Sequence, residues 1–121
     1  PQTHHGVVTG GGAEYRLDLA DRGKFIHFKG ADGSKDVIVP AHYDNPLPIG
    51  YTVSLILDEF NGNRIYVYGQ NSDPTIIVNG QSIYNTNDWY IGGTGNAGIY
   101  TLMKIETNRW ILSGPEVVFN G

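Results

Sequence analysis

The adjacent histidines His4 and His5 are the first side chains in this sequence that could hold a metal ion. A tetrahedral or octahedral site needs at least a third ligand, and the Gly-rich stretch around them offers none, so two solvated imidazoles are expected. Asp32-Gly-Ser-Lys-Asp36 has the acidic spacing of a calcium loop, but it lacks the glycine at the sixth position and has Tyr43 where a bidentate glutamate belongs, which makes it a polar turn. Gly92-Gly-Thr-Gly95 shares only its glycines with a phosphate cradle: no Lys-Ser or Lys-Thr follows, and no helix start supplies amides to an anion. There is no Gly-x-Ser-x-Gly elbow, and the carboxylates are scattered one per loop instead of paired across a cleft as glycoside hydrolysis requires. The expectation is a protein without catalytic residues, metal or cofactor.

The strongest candidate for recognition chemistry is the segment 84–90, in which Tyr84, Trp89 and Tyr90 flank Asn85, Asn87 and Asp88. Aromatic faces bordered by amides and a carboxylate suit sugar rings and their hydroxyls. The competing and favoured reading is that Trp89 and Tyr90 plug one end of a barrel or sandwich.

Any such site must be positioned by β-strands. The 121 residues include 17 glycines and 6 prolines set between short β-rich runs, and no segment keeps a 3.6-residue apolar period. The length fits one domain that can bury an adequate core unaided. Cysteine is absent, which excludes disulfides, thiolate metal sites and a cysteine nucleophile. The net charge of -4, with 17% charged residues, does not suit nucleic acid or an anionic membrane as a partner. No apolar run approaches the ~20 residues of a membrane span, and the chain reads as soluble, with no signal peptide at its start. Pro1 fits a natural start whose methionine has been trimmed, although a cut end would look the same.

The fold expected is all-β: a single antiparallel sandwich or barrel, jelly-roll-like, spanning residues 13–121, preceded by an extended Gly-rich arm over 1–12. Strands are expected over 14–17, 24–29, 35–39, 52–60, 64–68, 75–78, 81–84, 89–91, 99–106, 109–113 and 116–119. Asn61-Gly-Asn63 and Asn79-Gly80 read as hairpin turns, Thr107-Asn108 as the turn of a third hairpin, and residues 19–23 as a single helical turn closed by Gly23. Alternation assigns Val53, Leu55 and Leu57 to one face, and Ile26 and Phe28 to another. Phe28, Leu55, Trp110 and Leu112 are the expected core. Several second faces are also partly apolar: Ile38 opposes Val37 and Val39, and Arg64, Tyr66 and Tyr68 oppose Ile65 and Val67, while in residues 99–106 neither the face of Ile99, Thr101, Met103 and Ile105 nor that of Tyr100, Leu102, Lys104 and Glu106 is wholly polar. Ile38, Tyr66 and Tyr68 are therefore candidates for a surface covered by a partner.

Taken in order, Tyr15-Arg-Leu, Ala20-Asp21-x-Gly23-Lys24-Phe-Ile-His-Phe28, Val37-Ile-Val-Pro40, Pro48-Ile-Gly50 before a strand from Val53 to Leu57, Tyr100-Thr-Leu-Met-Lys-Ile and Trp110-Ile-Leu-Ser-Gly114 form a recurring pattern. It resembles that of a small β domain common in structural proteins of tailed bacteriophages, over about residues 14–114. The chain departs from the pattern at Asn61 to Asn63 and in the inserted-looking region 73–90. Such domains occur on head surfaces and at the ends of tail fibres.

The resemblance implies a virion location and a structural role without enzymatic activity, as a capsid decoration or cement protein. The partners implied are further copies of the chain, as a homotrimer, and other virion proteins, the major capsid protein first. His4, His5, Val7 and Val8 would then lie on neighbouring capsid subunits. The alternative is a tail-fibre or tail-tip receptor-binding domain that docks host glycan through residues 84–90.

Overall fold

The structure is a computed structural model and describes residues 3–8, 14–28, 35–57, 64–78, 83–84, 89–92, 98–115 and 117–119. In chain order the strands are β1 (Thr3–Val8), β2 (Glu14–Arg16), β3 (Lys24–Phe28), β4 (Lys35–Val39), β5 (Thr52–Leu57), β6 (Arg64–Gly69), β7 (Thr75–Val78), β8 (Ile83–Tyr84), β9 (Trp89–Gly92), β10 (Gly98–Glu106), β11 (Arg109–Ser113) and β12 (Val118–Phe119). The protein is all-β, as its alternation predicts, with short 3-10 turns at Leu19–Asp21 and Gln70–Ser72.

Two mixed sheets form. The larger has seven strands in the order β1-β3-β5-β10-β11-β7-β8, and the smaller has five in the order β12-β9-β6-β4-β2. From β1 to β6 the chain alternates between the sheets, and each strand lies parallel to the one two places earlier: β1, β3 and β5 in the larger sheet, β2, β4 and β6 in the smaller. The purely antiparallel arrangement expected from the sequence is therefore wrong for this half of the chain, and also where β7 lies parallel to β11. Side-chain alternation has a period of two whichever way the neighbouring strand runs, so it carries no information on direction.

The same topology corrects the turn at Asn61 to Asn63, which lies outside the described residues. The strands it joins, β5 and β6, belong to different sheets, so it is a crossing between sheets and not a hairpin. The other two hairpins form: β10 pairs with β11 around Thr107-Asn108, and β7 pairs with β8, although Asn79 and Gly80 themselves are not described. Within the segment expected as an extended arm, Thr3–Val8 form β1, an edge strand beside β3.

The core lies between the sheets. Ile26, Phe28, Val53, Leu55, Tyr100, Leu102, Trp110 and Leu112 from the larger sheet cluster with Val37, Val39, Ile65, Val67 and Ile91 from the smaller, and the four core residues expected from sequence are all buried. Trp110 meets the ring of Tyr51 edge-to-face, with centroids 5.5 Å apart, a favoured geometry for aromatic pairs. The 3-10 turn Leu19–Asp21 is closed by a capping box in which the Asp18 and Asp21 side chains each accept from the other end's backbone. Gly23 follows with φ 72°, a left-handed conformation that a glycine adopts without strain.

Candidate functional site

Parallel strands leave a sheet at the same end, and this gathers polar loops. The segments after β2, β4 and β6, the segment before β5 and the β10–β11 turn meet at one end of the molecule. Asn45 Nδ2 donates to Asp18 Oδ1 at 3.2 Å, Gln70 Nε2 to Asp44 Oδ2 at 2.9 Å, Asn71 Nδ2 to the Tyr43 hydroxyl at 3.0 Å, and His42 N to Asn108 Oδ1 at 3.0 Å. Beneath these loops Asp21 is buried, accepting from the Tyr15 hydroxyl at 2.7 Å and from Asp18 N at 3.0 Å. Burial first, and then the Asp21 carboxylate, push the Tyr15 hydroxyl well above the usual phenol range; the same two causes raise Tyr51, whose hydroxyl donates to Asp18 O at 2.8 Å.

Lys104 anchors this end. It follows Tyr100 and Leu102 on the inward face of β10 and is 1% exposed. Its ammonium donates to Leu47 O at 2.7 Å and lies 2.8 Å from His42 Nδ1. Its backbone N–H donates to Tyr51 O, and its carbonyl accepts from Gly50 N, so the residue clamps both sides of the 40–51 loop. Burial lowers the pKa of the amine, because a charged group loses its hydration there.

The outward face of the smaller sheet is tied to itself. Tyr66 meets Tyr90 with ring centroids 5.9 Å apart, the Arg64 guanidinium lies 4.2 Å above the Tyr90 ring, and Tyr68 donates to Asp36 Oδ2 at 2.9 Å. Tyr66 and Tyr68 are half-buried. Ile38, expected on an open surface, is only 4% exposed, because Arg16 and Tyr68 flank it in register on the adjacent strands. Tyr90 is likewise 4% exposed, at odds with an open platform for a sugar ring. Tyr84 lies on β8 of the larger sheet whereas Trp89 and Tyr90 lie on β9 of the smaller, and Asn85, Asn87 and Asp88 are outside the described residues. Of the arm residues, His4, Val7 and Val8 stand opposite Phe25, His27 and Phe28 in β3, and a register shift between His4 and Gly6 leaves His5 out of the pairing.

The exposed apolar surface is on the other sheet. Across the outward face of the larger sheet, Ile56 pairs with Ile99, and Met103 pairs with Ile111, which pairs with Ile77. Between these rows runs a hydroxyl row of Ser54, Thr101 and Ser113. Ile99 is 60% exposed and Met103 42%, and the apolar rows are bordered by His27 beside Ile56 and by the ion pair of Glu106 with Arg109 at the hairpin end. The sequence signal for this surface is present in the alternation of residues 99–105.

Two clefts border the loop end. One, about 510 Å³ and open, is lined by Thr75, Glu106, Thr107, Asn108 and Arg109. The other, about 240 Å³, is lined by Glu14, Arg16, Ile38, Tyr68, Gln70 and Asn71. Among the described residues no three His, Cys, Asp or Glu side chains converge as a metal site, and no helix is long and apolar enough to cross a membrane. Comparison of the sequence with models of protein families and with curated proteins returns no match.

Proposed function

We propose that the protein is a non-enzymatic structural component of a tailed-bacteriophage virion, a decoration or cement protein that binds the head surface and stabilises it. In this reading the two sheets pack as a jelly-roll-like sandwich. The outward face of the larger sheet is the assembly surface, against further copies in a homotrimer and against the major capsid protein. The observation that carries the proposal is the apolar patch of Ile56, Ile77, Ile99, Met103 and Ile111 on that face. An apolar surface that water would otherwise cover is a recognised mark of a protein interface.

Magnitudes favour repeated contacts over one tight one. Five central strands spaced ~4.8 Å apart, each ~17 Å long, give a footprint of roughly 400 Å², about half of the ~800 Å² per partner in a standard interface. At ~25 cal/mol per Å² that burial contributes about 10 kcal/mol, similar to the ~4–15 kcal/mol lost on association. One contact is marginal, and many around a closed ring or shell are not. The edge strand β1 extends the face toward neighbouring subunits, the place expected for His4, His5, Val7 and Val8.

The test is addition of the purified protein to heads that lack it. Saturable binding that raises their resistance to heat or chelator supports the proposal; glycan binding without head binding replaces it with the tail-tip receptor reading.

A further inference from the structure

The geometry points to a second function, a binding site for one ring of a neutral sugar in the cleft of about 240 Å³ at the loop end of the smaller sheet's outward face. Arg16, Ile38 and Tyr68 stand in one cross-strand row on β2, β4 and β6, and Gln70 and Asn71 close the row where β6 turns away. The half-buried Tyr68 ring supplies an apolar floor, with Ile38 buried beneath it. The ring is fixed in place, because its hydroxyl is committed to Asp36 Oδ2 at 2.9 Å.

Above that floor are three planar polar groups, the Glu14 carboxylate, the Arg16 guanidinium and the Asn71 amide, all on exposed residues. Planar groups of this kind bridge neighbouring hydroxyls of a sugar, the carboxylate accepting and the guanidinium donating. Glu14 Oε1 and Arg16 Nη2 lie 3.6 Å apart, and Asp36 adds a further carboxylate beside Tyr68, so neither a phosphate nor an acidic sugar gains net attraction.

Asn71 is held in a left-handed conformation, φ 53°, the only non-glycine residue with positive φ among those described. Its Nδ2 is fixed on the Tyr43 hydroxyl, which leaves its Oδ1 facing no donor among the described residues. Conformations of this kind persist where the surroundings hold them, and they cluster at ligand sites. The volume admits a single ring and falls below the ~300–1,000 Å³ of drug-sized pockets, so affinity for a monosaccharide is on the order of millimolar. None of the residues lining it belongs to segment 84–90, and the site does not depend on where in a particle the protein sits.

The test is a titration with methyl glycosides of glucose, galactose, mannose and N-acetylglucosamine, followed by heteronuclear NMR. Saturable shifts with at least one glycoside, concentrated on Arg16, Tyr68 and Asn71, are expected. Asn71→Ala and Arg16→Gln should each weaken binding tenfold or more with an unchanged fold, whereas Tyr68→Phe, which keeps the ring, should retain most of it. No saturable shift up to the solubility of the sugars, shifts centred on Tyr84 to Tyr90, or affinity unchanged in both surface variants would overturn the assignment.

Discussion

The Lys104 ammonium and the His42 imidazole lie 2.8 Å apart in the loop end of the fold, with Lys104 also donating to Leu47 O. An ammonium can only donate, so while Lys104 is charged the contact requires His42 Nδ1 to accept, with its proton on Nε2. Lysine sits here because it completes backbone bonds that an aliphatic residue could not.

The buried amine sets an alkaline dependence of stability. Its folded pKa is lowered, so between that value and the ordinary ~10.4 the unfolded chain binds more protons, and stability rises with pH across that window. Tyr15, Tyr51 and Tyr68 are shifted the other way, Tyr68 to about 12 through burial and its bond to Asp36, so the folded state keeps phenol protons that the unfolded chain loses from pH ~10 upward. Urea unfolding followed by tryptophan fluorescence from pH 7 to 11 should therefore show stability rising and then falling. In Lys104→Met the rise should vanish and the fall remain.

Gly114 packs against the ring of Tyr100, and a Cβ at residue 114 would run into Tyr100 Cδ2 and its ring neighbours. Because Tyr100 is fully buried beneath the β10–β11 hairpin, the ring cannot move aside cheaply. Gly114→Ala should lower stability by about 1–3 kcal/mol, the usual range for overpacking, as read from the urea midpoint. A midpoint equal to wild type would show that the hairpin yields.

The Tyr15 hydroxyl donates to a buried carboxylate, so Tyr15→Phe leaves Asp21 one donor short and should cost about 1.5–3 kcal/mol. Asp21→Ala removes the acceptor from both the Tyr15 hydroxyl and Asp18 N and should cost more. Thermal unfolding of the two variants gives the order, and an equal loss would contradict the role assigned to the capping box.

The strands were legible because the inward positions carry Val, Leu, Ile and aromatic residues in strict alternation: β4, β7 and β11 have the bounds read from sequence. Local turn chemistry was legible too, at Asp18 to Gly23 and at Thr107-Asn108. Strand direction was not, since Asn-Gly-Asn suits any sharp reversal, whether it returns to the same sheet or crosses to the other. Lys104 shows a second limit. Its place on the inward face follows from Tyr100 and Leu102, but its acceptors come from the 40–51 loop, more than fifty residues away in the chain. The burial of Ile38 was hidden for a related reason, because Arg16 and Tyr68, which flank it, come from other strands.

The assembly surface is tested most directly by sedimentation velocity at micromolar concentration, comparing the wild-type chain with Ile99→Glu/Met103→Glu. Both side chains reach solvent, so the double variant should keep its stability, read from the urea midpoint, to within about 1 kcal/mol. The wild-type protein should sediment as a trimer of the 13.3 kDa chain and the variant as a monomer. A wild-type monomer indistinguishable from the variant would contradict the assignment of this face to self-assembly.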